Sequence, residues 1–154
     1  MDSDDPIKKT HFMTLIAEGD KLYNNGPADK ALDFYNQALE IFPEDKHGLV
    51  ARSKCYLTMC NIDAALRDAE KSLKSDKNFH RGLEQKAETL YQMGDFEMAL
   101  VFFHRGHKLR PELNVFTLGI QKTQEAIINS VGASTRLQIE KSMTNQNTKD
   151  SRMF

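Results

Sequence analysis

Five histidines, two cysteines and 22 acidic residues are the raw material for chemistry in this 154-residue chain. Metal binding is the first use to consider. His104 and His107 stand three apart, a spacing that sets two imidazoles on one side of a helix. No carboxylate or cysteine falls where a third ligand is needed, and position 107 is expected to face outward. Solvated surface histidines are therefore the expectation. Cys55 and Cys60 form one pair, with four residues between them and no second pair. A zinc site wants four ligands, usually as two close pairs, so these read as two reduced thiols serving as small apolar side chains. Glu84 and Glu88 lie four apart on one helix face, and Asp2, Asp4 and Asp5 cluster near the N-terminus. Like charges at helical spacing cost about 0.3 kcal/mol, so such a pair reads as a binding or solvated face rather than a reaction centre. The chain holds no Gly-x-Gly-x-x-Gly, no phosphate-binding Gly-Lys-Ser/Thr loop and no His-Glu-x-x-His. These residues point to no enzyme: no catalytic group, cofactor, metal or small-molecule substrate is expected.

Composition narrows the partners. Basic residues number 21 against 22 acidic. A nucleic-acid protein needs a surplus of cations to displace counterions from phosphates, so no nucleic-acid partner is expected. The hydrophobic fraction is 40%, enough for a core, but no run approaches the ~20 apolar residues of a spanning helix. The acidic start, Met1-Asp2-Ser3-Asp4-Asp5-Pro6, has the character of neither a secretory signal nor a transit peptide. The expectation is a protein of the cytoplasm or a space continuous with it, with no membrane partner.

The elements that position these residues come from a repeat. At an offset of 34, Leu15, Leu49 and Leu83 align, as do Ala31, Ala65 and Ala99, then Leu32, Leu66 and Leu100. Small residues share the register: Gly19, Ser53 and Ala87, then Ala38, Ser72 and Gly106. Pro43 and Pro111 fall in register with Lys77 between them. Two antiparallel helices approach closely only where side chains are small, and larger residues (Leu22, Tyr56, Leu90, Tyr35, Phe103) fill the layer between. A proline just past a helix breaks no internal hydrogen bond. The turns carry the expected chemistry at Asn25-Gly26-Pro27, Cys60-Asn61 and Gly94-Asp95. Helix pairs are expected at about 8–24 with 28–42, 46–59 with 62–75, and 80–93 with 96–110.

This column set resembles the tetratricopeptide repeat, whose period is also 34. The resemblance covers repeats 12–45, 46–79 and 80–113 and implies an all-α, right-handed solenoid. The second repeat departs most, with Ala69 for the aromatic, Cys60 for the turn glycine and Lys77 for the proline. Phe116, Ile120, Thr123 and Ile127 recur at helical spacing, which predicts a capping helix at 113–130 that Gly132 ends. The repeat domain then covers 1–131. Residues 132–154, rich in Ser, Thr, Asn, Gln and Lys, read as a polar, flexible tail.

A solenoid of such pairs curves, and the first helix of each pair lines its inner groove. The register points Met13, Ile16, Asp20 and Tyr23 there from the first repeat. His47, Val50, Lys54 and Leu57 come from the second, and Arg81, Glu84, Glu88 and Tyr91 from the third. Asp20, Tyr23, Lys54, Arg81, Glu84, Glu88 and Tyr91 form the candidate partner-binding groove, a mixture suited to a protein segment of both charge signs. Ile16, Val50 and Leu57 could equally pack against neighbouring helices. The chaperone-binding clamp of this fold grips a carboxylate with Lys, Asn and Arg. Those places hold Ile16, Asp20, Ala51, Arg81 and Gln85 here, and only Arg81 keeps the charge.

Some stretches are more specific than the repeat requires. They include Ala51-Arg52-Ser53-Lys54-Cys55-Tyr56-Leu57, the run from Gln85 to Glu97, Ala99-Leu100-Val101-Phe102-Phe103-His104-Arg105-Gly106 and Gly119-Ile120-Gln121-Lys122-Thr123-Gln124-Glu125-Ala126-Ile127. Over residues 12–132 the chain resembles the N-terminal region of the tetratricopeptide-repeat subunits of the outer dynein arm docking complex. The resemblance implies a non-enzymatic scaffold on the doublet microtubules of cilia and flagella. Its implied partners are coiled-coil docking-complex subunits and outer dynein arm components. The alternative is a cytosolic co-chaperone adaptor, which the clamp positions disfavour.

Overall fold

Polar side chains mark most helix starts. Asp5 accepts from the Ile7 amide at 3.0 Å, Asp45 from Gly48 at 2.8 Å, Asn61 from Ala64 at 3.4 Å and Asp95 from Met98 at 3.2 Å. Each satisfies an amide that a helix N-terminus leaves without an internal partner. In the computed structural model, which describes residues 4–150, the helices are α1 (Pro6–Asn25), α2 (Ala28–Ile41), α3 (Lys46–Thr58), α4 (Ile62–Ser72), α5 (His80–Met93), α6 (Phe96–Leu109) and α7 (Asn114–Asp150). No strand occurs among the described residues. The expected pairs are α1/α2, α3/α4 and α5/α6. Asp2 of the acidic cluster and residues 151–154 of the tail lie outside the described residues.

The pairs close at sites the register marked. Ala31, Ala38, Ala65, Ala87 and Ala99 are fully buried, as are Ser53 and Ser72. A Cβ on Gly19 would stand 2.6 Å from the Tyr35 ring. The Tyr35 hydroxyl donates to Asp20 at 2.5 Å, and burial, helped by this bond, pushes its pKa far up. Ser53 donates to the Ala65 carbonyl at 2.7 Å, tying α3 to α4.

Charged residues also join repeats. Arg52 of α3 holds Asp68 of α4 with two bonds, 2.7 and 2.9 Å, and reaches back to Asn36 of α2 at 3.2 Å. One period on, Lys86 of α5 pairs with Glu70 of α4 at 3.6 Å and lies over the Phe102 ring of α6. The same column thus pins each helix pair to the one before it.

Each odd-numbered helix touches the next odd one, whereas the even helices do not touch one another. The stack therefore curves with α1, α3, α5 and α7 on the inside. α7 takes the place of a fourth first helix. Phe116 and Thr123 are fully buried, and Phe116 fills the space left by Gly106 while Phe103 fills that left by Gly119. Past this contact the structure departs from expectation: Gly132 does not end the helix, which runs on to Asp150. A glycine inside a helix costs about 1 kcal/mol relative to alanine. A glycine commonly stops a helix by turning left-handed, as Gly26 and Gly94 do in taking positive φ, and Gly132 does not. Residues 128–146 of this helix are exposed on every side.

Candidate partner-binding groove

Reading the inner face at intervals of 34 gives four rows. They are Met13, His47, Arg81 and Val115; Ile16, Val50, Glu84 and Leu118; Asp20, Lys54, Glu88 and Lys122; and Tyr23, Leu57, Tyr91 and Glu125. The third row alternates in sign along the stack. α7 thus extends the groove by one helix, and sequence reasoning stopped short of it. The signal was available, since Lys122 follows Glu88 by one period.

The candidate residues separate into two groups. Toward the C-terminal end, Lys122 donates to both Glu88 carboxylate oxygens at 2.7 and 2.8 Å, and its ammonium lies 4.5 Å from the Tyr91 ring centroid. The Tyr91 ring also packs against Phe96. Glu84 makes no hydrogen bond or ion pair, yet it is half-buried. Burial raises its pKa, helped by Glu88 and opposed by Lys54, Arg81 and Lys122. Lys54 and Arg81 are exposed and touch no carboxylate directly. Lys54, Arg81, Glu88 and Lys122 all act on Glu84 by charge, and Tyr91 lies beneath the Lys122 ammonium.

Asp20 and Tyr23 take no part in those contacts. Asp20 is held by Tyr35, and the Tyr23 hydroxyl meets that of Thr58 at 3.2 Å, spanning α1 and α3. Val50 is only 4% exposed and packs as core, whereas Met13 is 64% exposed. A cleft of about 940 Å³ opens here between α1, the α2–α3 connection and the start of α3. Phe12, Met13, Ile16 and Phe42 supply much of its wall, and Asp20, Glu44 and Asp45 supply carboxylates. Phe42 and Glu44 belong to the α2–α3 connection, because the helix expected to reach 42 stops one residue earlier, at Ile41.

The remaining candidates for chemistry sit elsewhere. His104 is exposed; His107, expected to face outward, is instead half-buried, with its Nδ1 unpartnered. Among the described residues no three His, Cys, Asp or Glu side chains gather as a metal site. Cys55 is buried and its thiol pKa is pushed up to about 11, by burial first and then by Asp20. Cys60 is exposed. Gln85, a clamp position, is 4% exposed with its Nε2 unpartnered. No helix of the described residues is long and apolar enough to cross a membrane.

Solved structures share this arrangement. The first repeat domain of Spaghetti, bound to an HSP90 peptide, superposes with a TM-score of 0.72 at 18% identity, covering 77% of this chain and 94% of that one. The Sgt2 domain from Aspergillus fumigatus does so at 0.73 and 22% identity, covering 82% of each. The fold is that of a tetratricopeptide-repeat domain. No protein-family model matches the chain. In sequence, this tetratricopeptide-repeat chain is 54% identical over 129 residues to outer dynein arm-docking complex subunit 4 of Xenopus laevis, covering 84% of this chain and 24% of that protein. It is 52% identical over 138 residues to the subunit of the same name in Mus musculus, covering 90% of this chain and 22% of that protein. The chain thus spans about a quarter of the length of these relatives. Identity to Hsp70-Hsp90 organizing protein 3 of Arabidopsis thaliana is 26% over 125 residues, covering 78% of this chain and 22% of that protein.

Proposed function

We propose that this tetratricopeptide-repeat chain is a non-enzymatic scaffold of the outer dynein arm docking complex, working in the axoneme of cilia and flagella and supporting dynein arm attachment. The observation that carries this reading is identity above 50%, over more than four-fifths of the chain, to docking-complex subunits. Tetratricopeptide folds alone serve many partners, so the fold does not choose among them. The inner groove is the working surface. Asp20, Tyr23, Lys54, Arg81, Glu84, Glu88 and Tyr91, joined by Lys122, meet a coiled-coil docking subunit whose surface carries both charge signs. Residues 1–131 form the binding unit, and the segment from 132 onward is an appendage to it.

Two features support the groove. Glu84 keeps a half-buried carboxylate with no direct partner, which costs folding energy and is repaid when a cation arrives. Arg81 offers a free guanidinium fork that can hold a carboxylate at two points. The co-chaperone alternative fits poorly. A carboxylate-ended peptide would meet Asp20 where the clamp has an amide, and Ile16 where it has a cation.

Co-purification with docking-complex subunits tests the reading. Arg81→Glu combined with Tyr91→Ala is expected to abolish it while far-UV circular dichroism stays unchanged. Lys30→Glu, exposed on α2, is expected to leave it intact. Binding that survives the groove pair and fails with Lys30→Glu would move the working surface to the convex side. Tight calorimetric binding of a peptide ending in Glu-Glu-Val-Asp, lost on Arg81→Ala, would promote the co-chaperone alternative.

A further inference from the structure

The cleft at the N-terminal end of the inner face is wide, apolar at its base and acidic at its rim. Its size, about 940 Å³, is in the upper part of the roughly 300–1,000 Å³ range of ligand pockets. Phe12 and Phe42 close the base edge to face, with ring centroids 5.2 Å apart. Ile16 packs beside them, and Met13 projects at the mouth, 64% exposed. Three carboxylates line the cleft, Asp20, Glu44 and Asp45, against one lysine, Lys9, and one histidine, His47. Asp45 is tied to the Gly48 amide and Asp20 to the Tyr35 hydroxyl, so both charges are fixed in place. Glu44 is exposed and unpaired.

We infer that this cleft takes an amphipathic helix of a partner protein, apolar on the seated side and flanked by Lys and Arg. The inference rests on the inner face being the working surface and names what its N-terminal end recognises. The wall chemistry selects a helix. α1 and α3 satisfy their backbone groups internally, and in the connection Phe42 and Asp45 already bond through their amides to Ala38 and Phe42. An extended peptide lying on the apolar base formed by Phe12, Ile16 and Phe42 would find no free backbone group there to pair with. A helix brings its backbone already paired. The wall from Lys9 to Asp20 runs about 16 Å along α1, room for three turns of a partner. The rim selects the charge: a basic flank meets Asp20, Glu44 and Asp45, and an acidic one is repelled.

The probe is a capped helical peptide with Leu along one face and Lys and Arg beside it, compared with a control carrying Glu in place of every cation. Both are titrated into the full chain, followed by anisotropy and by the methionine methyl resonances. The basic peptide is expected to bind and to shift the Met13 methyl, with the acidic control at least about tenfold weaker at low salt. Met13→Lys and Glu44→Lys, both at exposed positions, are each expected to weaken the basic peptide about tenfold with unchanged circular dichroism. Arg81→Glu with Tyr91→Ala is expected to leave it unaffected. Equal binding of the two peptides, an unmoved Met13 signal, or loss of binding on the Arg81/Tyr91 change overturns the inference. If the basic peptide fails while docking subunits still co-purify through Arg81 and Tyr91, the cleft assignment falls alone. If the peptide binds at Met13 while docking subunits ignore the groove pair, the inference stands and the central groove assignment falls.

Discussion

Cys60 occupies a glycine's place. Gly26, Cys60 and Gly94 are one period apart, and all three have positive φ, at 115°, 62° and 89°. After α3 and α5 the chain closes with the same bond, Asn61 to the Tyr56 carbonyl and Asp95 to the Leu90 carbonyl, a pattern that requires a left-handed residue just before it. After α1 that donor is Pro27, which has no amide hydrogen, and the turn opens to a different φ. A side chain in the left-handed region costs about 1–2 kcal/mol. Cys60→Gly is therefore expected to stabilise the fold by about 1 kcal/mol, part of the relief being lost to the freer unfolded chain. Urea denaturation measures it; a destabilised variant would mean that the thiol makes a contact worth more than the strain. Glu84 gives a second test. Its pKa is raised in the folded state, so the native protein holds this proton to higher pH than the unfolded chain does. Folding therefore weakens as pH climbs from the unfolded carboxylate pKa through the folded one. Glu84→Gln should raise the melting temperature at pH 7, with the gain vanishing toward pH 4. A gain that persisted in acid would assign the effect to packing instead of charge.

At the scale of elements, the junctions between repeats show size compensation. α4 meets α5 through Ser72 and Gly82, and one period earlier Ala38 and Gly48 hold the same places in α2 and α3. Where α6 meets α7 the second position is Phe116, and the first has shrunk to Gly106. A Cβ at 106 would overlap the Phe116 ring, which is buried and cannot swing away. Gly106→Ala is expected to destabilise by about 1–3 kcal/mol, read as a lower urea midpoint. Phe116→Leu in the same chain should reduce that penalty, giving a double-mutant coupling that two independent sites would lack. An unperturbed Gly106→Ala would show that α7 does not dock as described.

At the scale of the molecule, α7 is the last layer among the described residues. The columns that face a following helix change character there. Leu15, Leu49 and Leu83 give way to Thr117; Gly19, Ser53 and Ala87 to Gln121; Leu22, Tyr56 and Leu90 to Gln124. All three replacements are exposed, which makes α7 a polar closing layer for a quasi-one-dimensional stack. Deleting residues 133–154 is expected to leave the thermal midpoint unchanged, since the side chains of 133–146 are exposed. Deleting from Asn114 onward uncovers Phe103 and should lower the midpoint sharply. Equal effects of the two truncations would show that the distal half of α7 packs after all.

Much of this protein was legible in the order of its residues. A strict period of 34 with small residues at Gly19, Ala31, Ala65 and Ala99 dictated helix pairs, because only small side chains admit close backbones. The turn residues dictated where those pairs break. The groove rows through Asp20, Lys54 and Glu88 followed from the same arithmetic, as did the inner place of Tyr23 and Tyr91. What the period could not carry was left to the tertiary structure. The bond from Lys122 to Glu88, the grip of Arg52 on Asp68 and the hold of Tyr35 on Asp20 depend on how side chains meet across separate helices. The α2–α3 connection, which brings Phe42 and Glu44 to the cleft, has no periodicity to read. Nor could local composition settle the end of α7: a glycine permits a stop without enforcing one, and Gly132 takes a helical conformation because nothing packed around it demands a turn.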